Sequence, residues 1–429
     1  MTSRLAQVAS HLGLGGKGQL TSKNADDVVI VSAVRTPITR GGKGGLKDTN
    51  VEDLLAVVLK AVLDKTGIDP KLIEDIAVGS VLSPGRPTYH LRISRLNSLG
   101  GGATLFRAGS FVAGIPNTCA LNALNRQCSS GLQAVVQIAH EIQSGMIEIG
   151  IGAGAESMTT NYGAGAMGSI SEACEANPEA ADCTVPMGIT SENVAREYNV
   201  SREDQDRFAA ESYRRAEAAQ KSGLFDEEIV PVKAKFTDPK TGEEKELLVT
   251  KDDGIRAGTT FESLQKLKPA FSKDGATHAG NASQVSDGAA AVLLMKRSKA
   301  QELNLPIIGK YCHAAVVGVP PRVMGIGPAF AIPAVLKKAN ITTDDVDIFE
   351  INEAFASQAL MSCRTLNLDM TKVNPKGGAI AFGHPLGCTG ARQISTLLTE
   401  LKRTDKKIGI TSMCIGTGMG MAAVFVSEA

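Results

Sequence analysis

Along the chain, runs of β-branched and apolar residues alternate with stretches whose apolar residues recur every three or four positions, the two periods of strand and helix. "DDVVIVSAVRTPI" (26–38) is such a run, bounded by polar residues and a proline, and predicts a buried strand and the start of folded sequence. "VEDLLAVVLKAVLDKTG" (51–67) predicts a helix stopped by Gly67. "IEDIAVGSVL" (73–82) and "IEIGIGAGAESM" (147–158) predict further strands, with a helix over "GLQAVVQIAHEIQSG" (131–145) between them. Strands that alternate with helices imply an α/β fold built on a parallel sheet covered on both faces.

The pattern occurs twice. Laying Gly131 on Gly390, an offset of 259, matches "GLQAVVQIAHEIQSGMIEIGI" to "GARQISTLLTELKRTDKKIGI" without a gap, so that the two "IGI" strands coincide. "DIAVGS" at Asp75 likewise falls on "DIFEIN" at Asp347. Two similar α/β halves packed together are expected. The first half is longer between these landmarks, and the surplus is "RPTYHLRISRLNSLG" (86–100), an in-frame block with glycine on both sides. It reads either as a surface loop, which folds tolerate cheaply, or as a translated intron, our expectation. Tryptic peptides of the native protein decide, because one containing "ISR" excludes the intron. Residues 160–278 differ in texture. "SREDQDRFAAESYRRA" opens with Ser201 and acidic residues, a helix start, and "TDPKTGEEKEL" reads as a hairpin or loop. This region is expected to be a loop domain inserted into the first half.

Length and charge narrow the function classes. A chain of 429 residues suggests two to three domains. With 45 basic and 45 acidic residues, no global field points to nucleic acid or an acidic membrane surface. The 8 cysteines form no CxxC pair and no zinc spacing, so no metal is expected and a reducing compartment is favoured. No apolar run reaches the roughly 18 residues that span a bilayer.

Four segments carry candidate chemistry. In "NRQCSSG", Cys128 lies where a strand gives way to a helix, whose unpaired N–H groups and dipole would favour a thiolate. A small cysteine in an apolar region is also ordinary core, so a base elsewhere is required. "GHPLGCTGAR" supplies one, His384, set on a turn rather than an apolar helix face. "SMCIGTGMG" places Cys414 before a glycine-rich turn, and "EINEAFA" puts Asn352 and Glu353 just past a strand end, where open α/β sheets bind ligands. Asn352 could equally be a helix cap. Cys388 precedes a helix at nearly the repeat-equivalent place of Cys128 and reads as structural.

Together, "NRQCSSG", "NEAFA", "GHPLGCTGAR" and "CIGTGMG", in that order, resemble the thiolase family, and the resemblance covers nearly the whole chain from Asp27. It implies two βαβ-type halves in a five-layer αβαβα arrangement, the first half over 26–159 and 279–300, the loop domain over 160–278 and the second half over 301–429. It also implies a homodimer that cleaves 3-ketoacyl-CoA with CoA in fatty-acid β-oxidation and holds no permanent cofactor. By the same resemblance, Cys128 is the nucleophile, His384 its base, and Cys414 the acid and base toward acetyl-CoA and CoA. Asn352 would hold a water for one oxyanion hole, and the N–H groups of Cys128 and Gly416 would form another. "GIRAGTT" and "AGNASQVSDGAAA" would put Arg256 near the CoA nucleotide and Ser283 near the pantetheine arm. A biosynthetic acetyl-CoA acetyltransferase and a non-catalytic CoA-binding relative are the alternatives. At the N-terminus (1–25), Arg4, Leu5, five spacers, His11 and Leu12 resemble an N-terminal peroxisomal targeting signal, which an import receptor reads. A frayed terminus and a mitochondrial presequence are its rivals.

Overall fold

A computed structural model describes residues 16–83, 102–163 and 170–429. The block at 86–100 and the Arg4 to Leu12 motif lie outside the described residues.

The first half runs β1 (Val28–Arg35), α1 (Val51–Thr66), β2 (Asp75–Gly79), α2 (Ala103–Val112), β3 (Ala120–Leu124), α3 (Ser130–Ser144) and β4 (Ile149–Ser157). An excursion follows, with the long helix α4 (Arg202–Lys221) and the hairpin β5 (Val232–Thr237) and β6 (Glu244–Val249), before the chain returns as β7 (Ser286–Lys296). The second half runs β8 (Gly309–Gly318), α5 (Gly327–Ala339), β9 (Ile348–Ile351), α6 (Ala356–Thr365), α7 (Thr389–Arg403), β10 (Ile408–Ile415) and β11 (Met419–Ser427). The boundaries follow local chemistry. Asn50 and the acidic Glu52 and Asp53 open α1, and Gly67 closes it in the left-handed conformation at φ 66°. Ser201 and Asp204 form a full capping box on α4.

The repeat is structural. An offset of 259 carries α3 onto α7 end for end and brings β4 onto β10. The strands form one path in the order β9-β10-β11-β8-β1-β7-β4-β2-β3, joined at its middle by only two residue pairs between β1 and β8. The expected parallel sheet is observed in part. Among the strands described, β9 with β10, β4 with β2 and β2 with β3 are parallel. β11 pairs antiparallel with β10 because the tight turn between them reverses the chain, and β7 pairs antiparallel with β4 and β1 after the excursion.

Layers follow from which faces are apolar. α1 and α2 cover the outer face of the first half, and α5 covers that of the second. The central helices α3 and α7 fill the space between, where Leu132, Val135, Ile138, Ile394, Leu397 and Leu401 share one core with strands of both halves. A helix sandwiched this way is buried nearly all round, as α7 is. The outcome is a five-layer αβαβα stack. The central helices touch at their N-termini through repeat-equivalent glycines: a Cβ on Gly390 would lie 2.2 Å from Leu132 N, and one on Gly131 would lie 2.5 Å from Gly387 O. This near-symmetric contact brings together the segments that precede both helices, residues 125–129 and 384–388.

One further expectation is corrected. Folded sequence begins before Asp26: Lys17–Thr21 is helical, Leu20 is buried against the second half, and Lys310 Nζ donates to Ser22 O at 2.6 Å. The polar composition of that stretch hid one anchoring leucine. The excursion packs on both halves. Its hairpin packs on the first half through Val232 and Ala234, but α4 packs through Ala209, Tyr213 and Ala216 onto Ala356, Ile380 and Phe382 of the second half.

Candidate active site

Between β3 and α3 the chain makes a sharp elbow. Gln127 adopts φ 47°, a left-handed conformation costly for a non-glycine residue, and its neighbours hold it there. Asn125 Oδ1 accepts Gln127 N–H at 2.8 Å, Ser130 Oγ accepts Arg126 N–H at 2.9 Å, and Ser129 Oγ donates to Arg126 O at 3.0 Å. The two serines of "NRQCSSG" therefore build the turn that presents half-buried Cys128. The N–H groups of Gly416 and of Cys128 itself favour its thiolate. The expected thiolate is nevertheless not the resting form: burial pushes the thiol up to about 11, against both N–H groups, and the charge of Glu156 adds to the rise.

His384 follows a reversal at Gly383, where φ is 111° and a Cβ would lie 2.2 Å from Ser286 Oγ. The ring is buried. Nδ1 meets Thr389 Oγ1 at 2.6 Å while that hydroxyl donates to Pro385 O at 3.3 Å, an arrangement that puts the ring proton on Nδ1. Nε2 is then the acceptor, and Asn352 Nδ2 donates to it at 3.3 Å. Burial, and secondly the charge of Arg392, push the imidazole down to about 3, so it is neutral and basic at Nε2. Asn352 lies just past β9 and caps no helix, since Phe355 is the N-cap residue of α6. Its Oδ1 is buried and has no hydrogen-bond partner among the described residues.

Cys414, near the end of β10, is buried with Ala282, Met324, Ala354 and Phe355, and burial followed by the adjacent Cys128 sulfur raises its pKa well above that of an ordinary thiol. Gly416 opens the turn to β11, which Thr417 and Gly418 complete at φ 68° and 89°. Cys128, Gly416 and Cys414 thus form one cluster, and His384 with Asn352 another, at ends of elements that the central contact draws together. Ser283 belongs to a segment tied to these groups: its N–H donates to Ala354 O at 2.9 Å, and the carbonyl of the next residue, Gln284, accepts His384 N–H at 3.2 Å. Arg256 is exposed and touches none of these groups, but its loop is tied to them because Gln284 Nε2 donates to Gly254 O and Ala381 O, each at 2.9 Å. Cys388 is fully buried in the central core, and burial raises its thiol to about 12, which fits a structural role.

Two buried carboxylates hold the site together: the sequence placed Glu353 at the strand end but not what it clamps, and Glu156 was missed. Glu353 accepts from Ser212 Oγ at 2.6 Å and Asn374 Nδ2 at 2.8 Å, clamping α4 and the loop that leads to His384 onto the end of β9. Its place beside Asn352 was the only signal. Glu156 accepts from the N–H groups of Val81, Leu82 and Gly387, and nothing local in "GAESM" announces that. Among the described residues no group of three histidines, cysteines or carboxylates could hold a metal ion, and no helix is long and apolar enough to cross a membrane.

Two family models match, the thiolase N-terminal domain over residues 28–298 and the thiolase C-terminal domain over residues 305–427. The chain belongs to the thiolase family. Among thiolases it is 57% identical over 413 residues to a peroxisomal 3-ketoacyl-CoA thiolase of Yarrowia lipolytica, covering 96% of each chain. It is 55% identical to peroxisomal 3-ketoacyl-CoA thiolase B of Rattus norvegicus, covering 94% of this chain and 91% of that one. Its fold matches the dimeric peroxisomal thiolase of Saccharomyces cerevisiae with a TM-score of 0.85 at 49% identity, over 96% of this chain and 100% of that one.

Proposed function

We propose that this thiolase cleaves 3-ketoacyl-CoA with CoA, giving acetyl-CoA and an acyl-CoA shortened by two carbons, in peroxisomal fatty-acid β-oxidation. The observation that carries the reading is the sulfur of Cys128, held by Gly416 N–H beside Cys414 and joined through the paired helix N-termini to a neutral His384.

In this reading His384 Nε2 takes the Cys128 proton as the thiolate attacks the 3-keto carbon. The bond between C2 and C3 breaks, and its electron pair leaves as the enolate of acetyl-CoA. Cys414 protonates that carbanion and then takes the proton of the incoming CoA thiol, which attacks the acyl-Cys128 thioester. Asn352, with a water on its unpartnered Oδ1, and His384 stabilise one oxyanion. The N–H groups of Cys128 and Gly416 stabilise the other, a task for which preorganised donors are suited. A raised thiol and a lowered imidazole keep the proton on Cys128 in the free enzyme, so its transfer to His384 needs the charge stabilisation that a bound substrate brings. We assign Ser283 to the pantetheine arm and Arg256 to the nucleotide end, with CoA acting as substrate and no permanent cofactor. We further read the chain as a homodimer whose residues 1–25 include the signal for the peroxisomal import receptor, and residues 160–278 as the loop domain that carries Arg256.

Steady-state thiolysis tests the reading. With a 3-ketoacyl-CoA series and free CoA we expect parallel double-reciprocal lines, the mark of an acyl-enzyme, and turnover on chains longer than acetoacetyl-CoA. Activity confined to acetoacetyl-CoA contradicts the degradative assignment.

A further inference from the structure

Among the described residues Glu156 has no cationic partner, yet it sits fully buried at the end of β4. Its Oε2 accepts Val81 N–H and Gly387 N–H, both at 2.9 Å, and its Oε1 accepts Leu82 N–H at 3.0 Å with Ser80 Oγ at 3.2 Å. Val81 and Leu82 belong to the first half. Gly387 belongs to the second and lies three residues from His384. The Gly387 turn enters a slot with no room to spare: a Cβ on Gly387 would lie 2.6 Å from Ser80 Cα and 2.8 Å from Gly79 O, and one on Gly154 would lie 2.2 Å from Gly387 O. The carboxylate is thus the polar floor of the joint through which the His384 turn docks beside the Cys128 elbow. It is also close enough for its charge to act on Cys128.

We propose that Glu156 is a positioning residue for thiolysis, fixing the His384 turn of the second half in register with the Cys128 elbow of the first. Three backbone donors on two oxygens require an acceptor-only group. Glutamine in its place must turn an NH2 either toward Val81 and Gly387 or toward Leu82, so one side of the joint between the halves loses its acceptor and shifts. A displacement on the order of 1 Å between base and nucleophile costs up to about 100-fold in rate. Substrate binding, which involves other walls of the site, should be nearly untouched.

The inference rests on the catalytic reading above, so the test pairs turnover with a measurement that needs no turnover. The variant Glu156→Gln is compared with wild type for kcat, for KM, and for the rate of iodoacetamide alkylation at Cys128 between pH 7 and 10, mapped by mass. Glu156 is the one charged group that acts on Cys128 among the described residues, beside the N–H groups of Gly416 and of Cys128 itself, while the Cys128 sulfur in turn raises Cys414 and Tyr162. We expect kcat to fall about 10- to 100-fold with KM within about twofold, and alkylation at a given pH to become faster because a neighbouring negative charge is gone. Glu156→Asp keeps the charge but withdraws it from Gly387. It should lower kcat while leaving the alkylation profile at wild type, and it carries the test if the glutamine variant does not fold. Wild-type kcat in both variants, or an unmoved alkylation profile in the glutamine variant, overturns the proposal. A wild-type protein that alkylates normally but never turns over overturns the catalytic reading instead.

Discussion

At Cys128, burial and hydrogen bonding pull in opposite directions, and burial wins, leaving a thiol near 11 despite two N–H donors on its sulfur. A thiol in that state is a poor nucleophile until a base removes its proton, which protects it between turnovers. Alkylation of the free enzyme should therefore rise about tenfold per pH unit up to pH 10 without levelling, as expected when only the thiolate reacts. A plateau below pH 9 contradicts this. Gly416 offers a contrast in size rather than charge. A Cβ there would meet only the Gln127 side chain, at 3.7 to 3.8 Å, an ordinary contact. Gly416→Ala should keep the wild-type Tm, and any loss of kcat then reports on the oxyanion site rather than on folding. The residue types of this site were legible in the sequence because the elbow, the histidine turn and the glycine turn are each local patterns. Glu156 was not, nor were the partners of Glu353, since those partners come from segments far apart in the chain.

Between elements, the decisive feature is the meeting of the N-termini of α3 and α7. The offset of 259 made this pair visible beforehand, because both helices keep their apolar spacing without a gap. Strand direction was less legible. Alternating strand and helix patterns suggested a parallel sheet, but the pattern is silent on whether β7 and β11 return beside their neighbours or cross over, and they return antiparallel. The slot for the Gly387 turn gives this scale its prediction. Gly387→Ala forces a Cβ against backbone atoms of Gly79 and Ser80 and should destabilise the fold by about 1–3 kcal/mol, with kcat falling as well. Urea unfolding checks it, and a midpoint equal to that of wild type would show that the two halves are not closely joined there.

Across the whole molecule, charge that the composition shows as merely balanced is partly buried and organised. Arg35 of the first half donates to Glu228 at 2.7 Å and to Asp252 at 2.7 Å and 2.9 Å, and Lys376 of the second half reaches the same Glu228 at 3.0 Å. The excursion thus ties the halves together through its carboxylates. Removing one partner strands the others: Arg35→Met should cost about 3–5 kcal/mol in urea unfolding, and a loss below about 1 kcal/mol contradicts the buried network. The pH response follows from the same group. Burial opposes ionisation of Glu228, but the charges of Lys376 and Arg35 prevail and hold it at about 2, below its unfolded value of 4.5. Its contribution is therefore complete above pH 4.5 and is lost as pH falls toward 2, because the unfolded chain takes up the proton first. Nothing in local sequence marks Arg35 as buried, since it sits in a strand pattern next to a proline.

The account stands on a covalent acyl-Cys128. The measurement that tests it most directly is the intact mass of wild type and Cys128→Ser after brief incubation with a 3-ketoacyl-CoA without free CoA. We predict an acyl adduct that maps to Cys128, is absent from the variant and is discharged by added CoA. Protein that binds the substrate yet never gains the adduct, or gains it on another residue, would contradict the account.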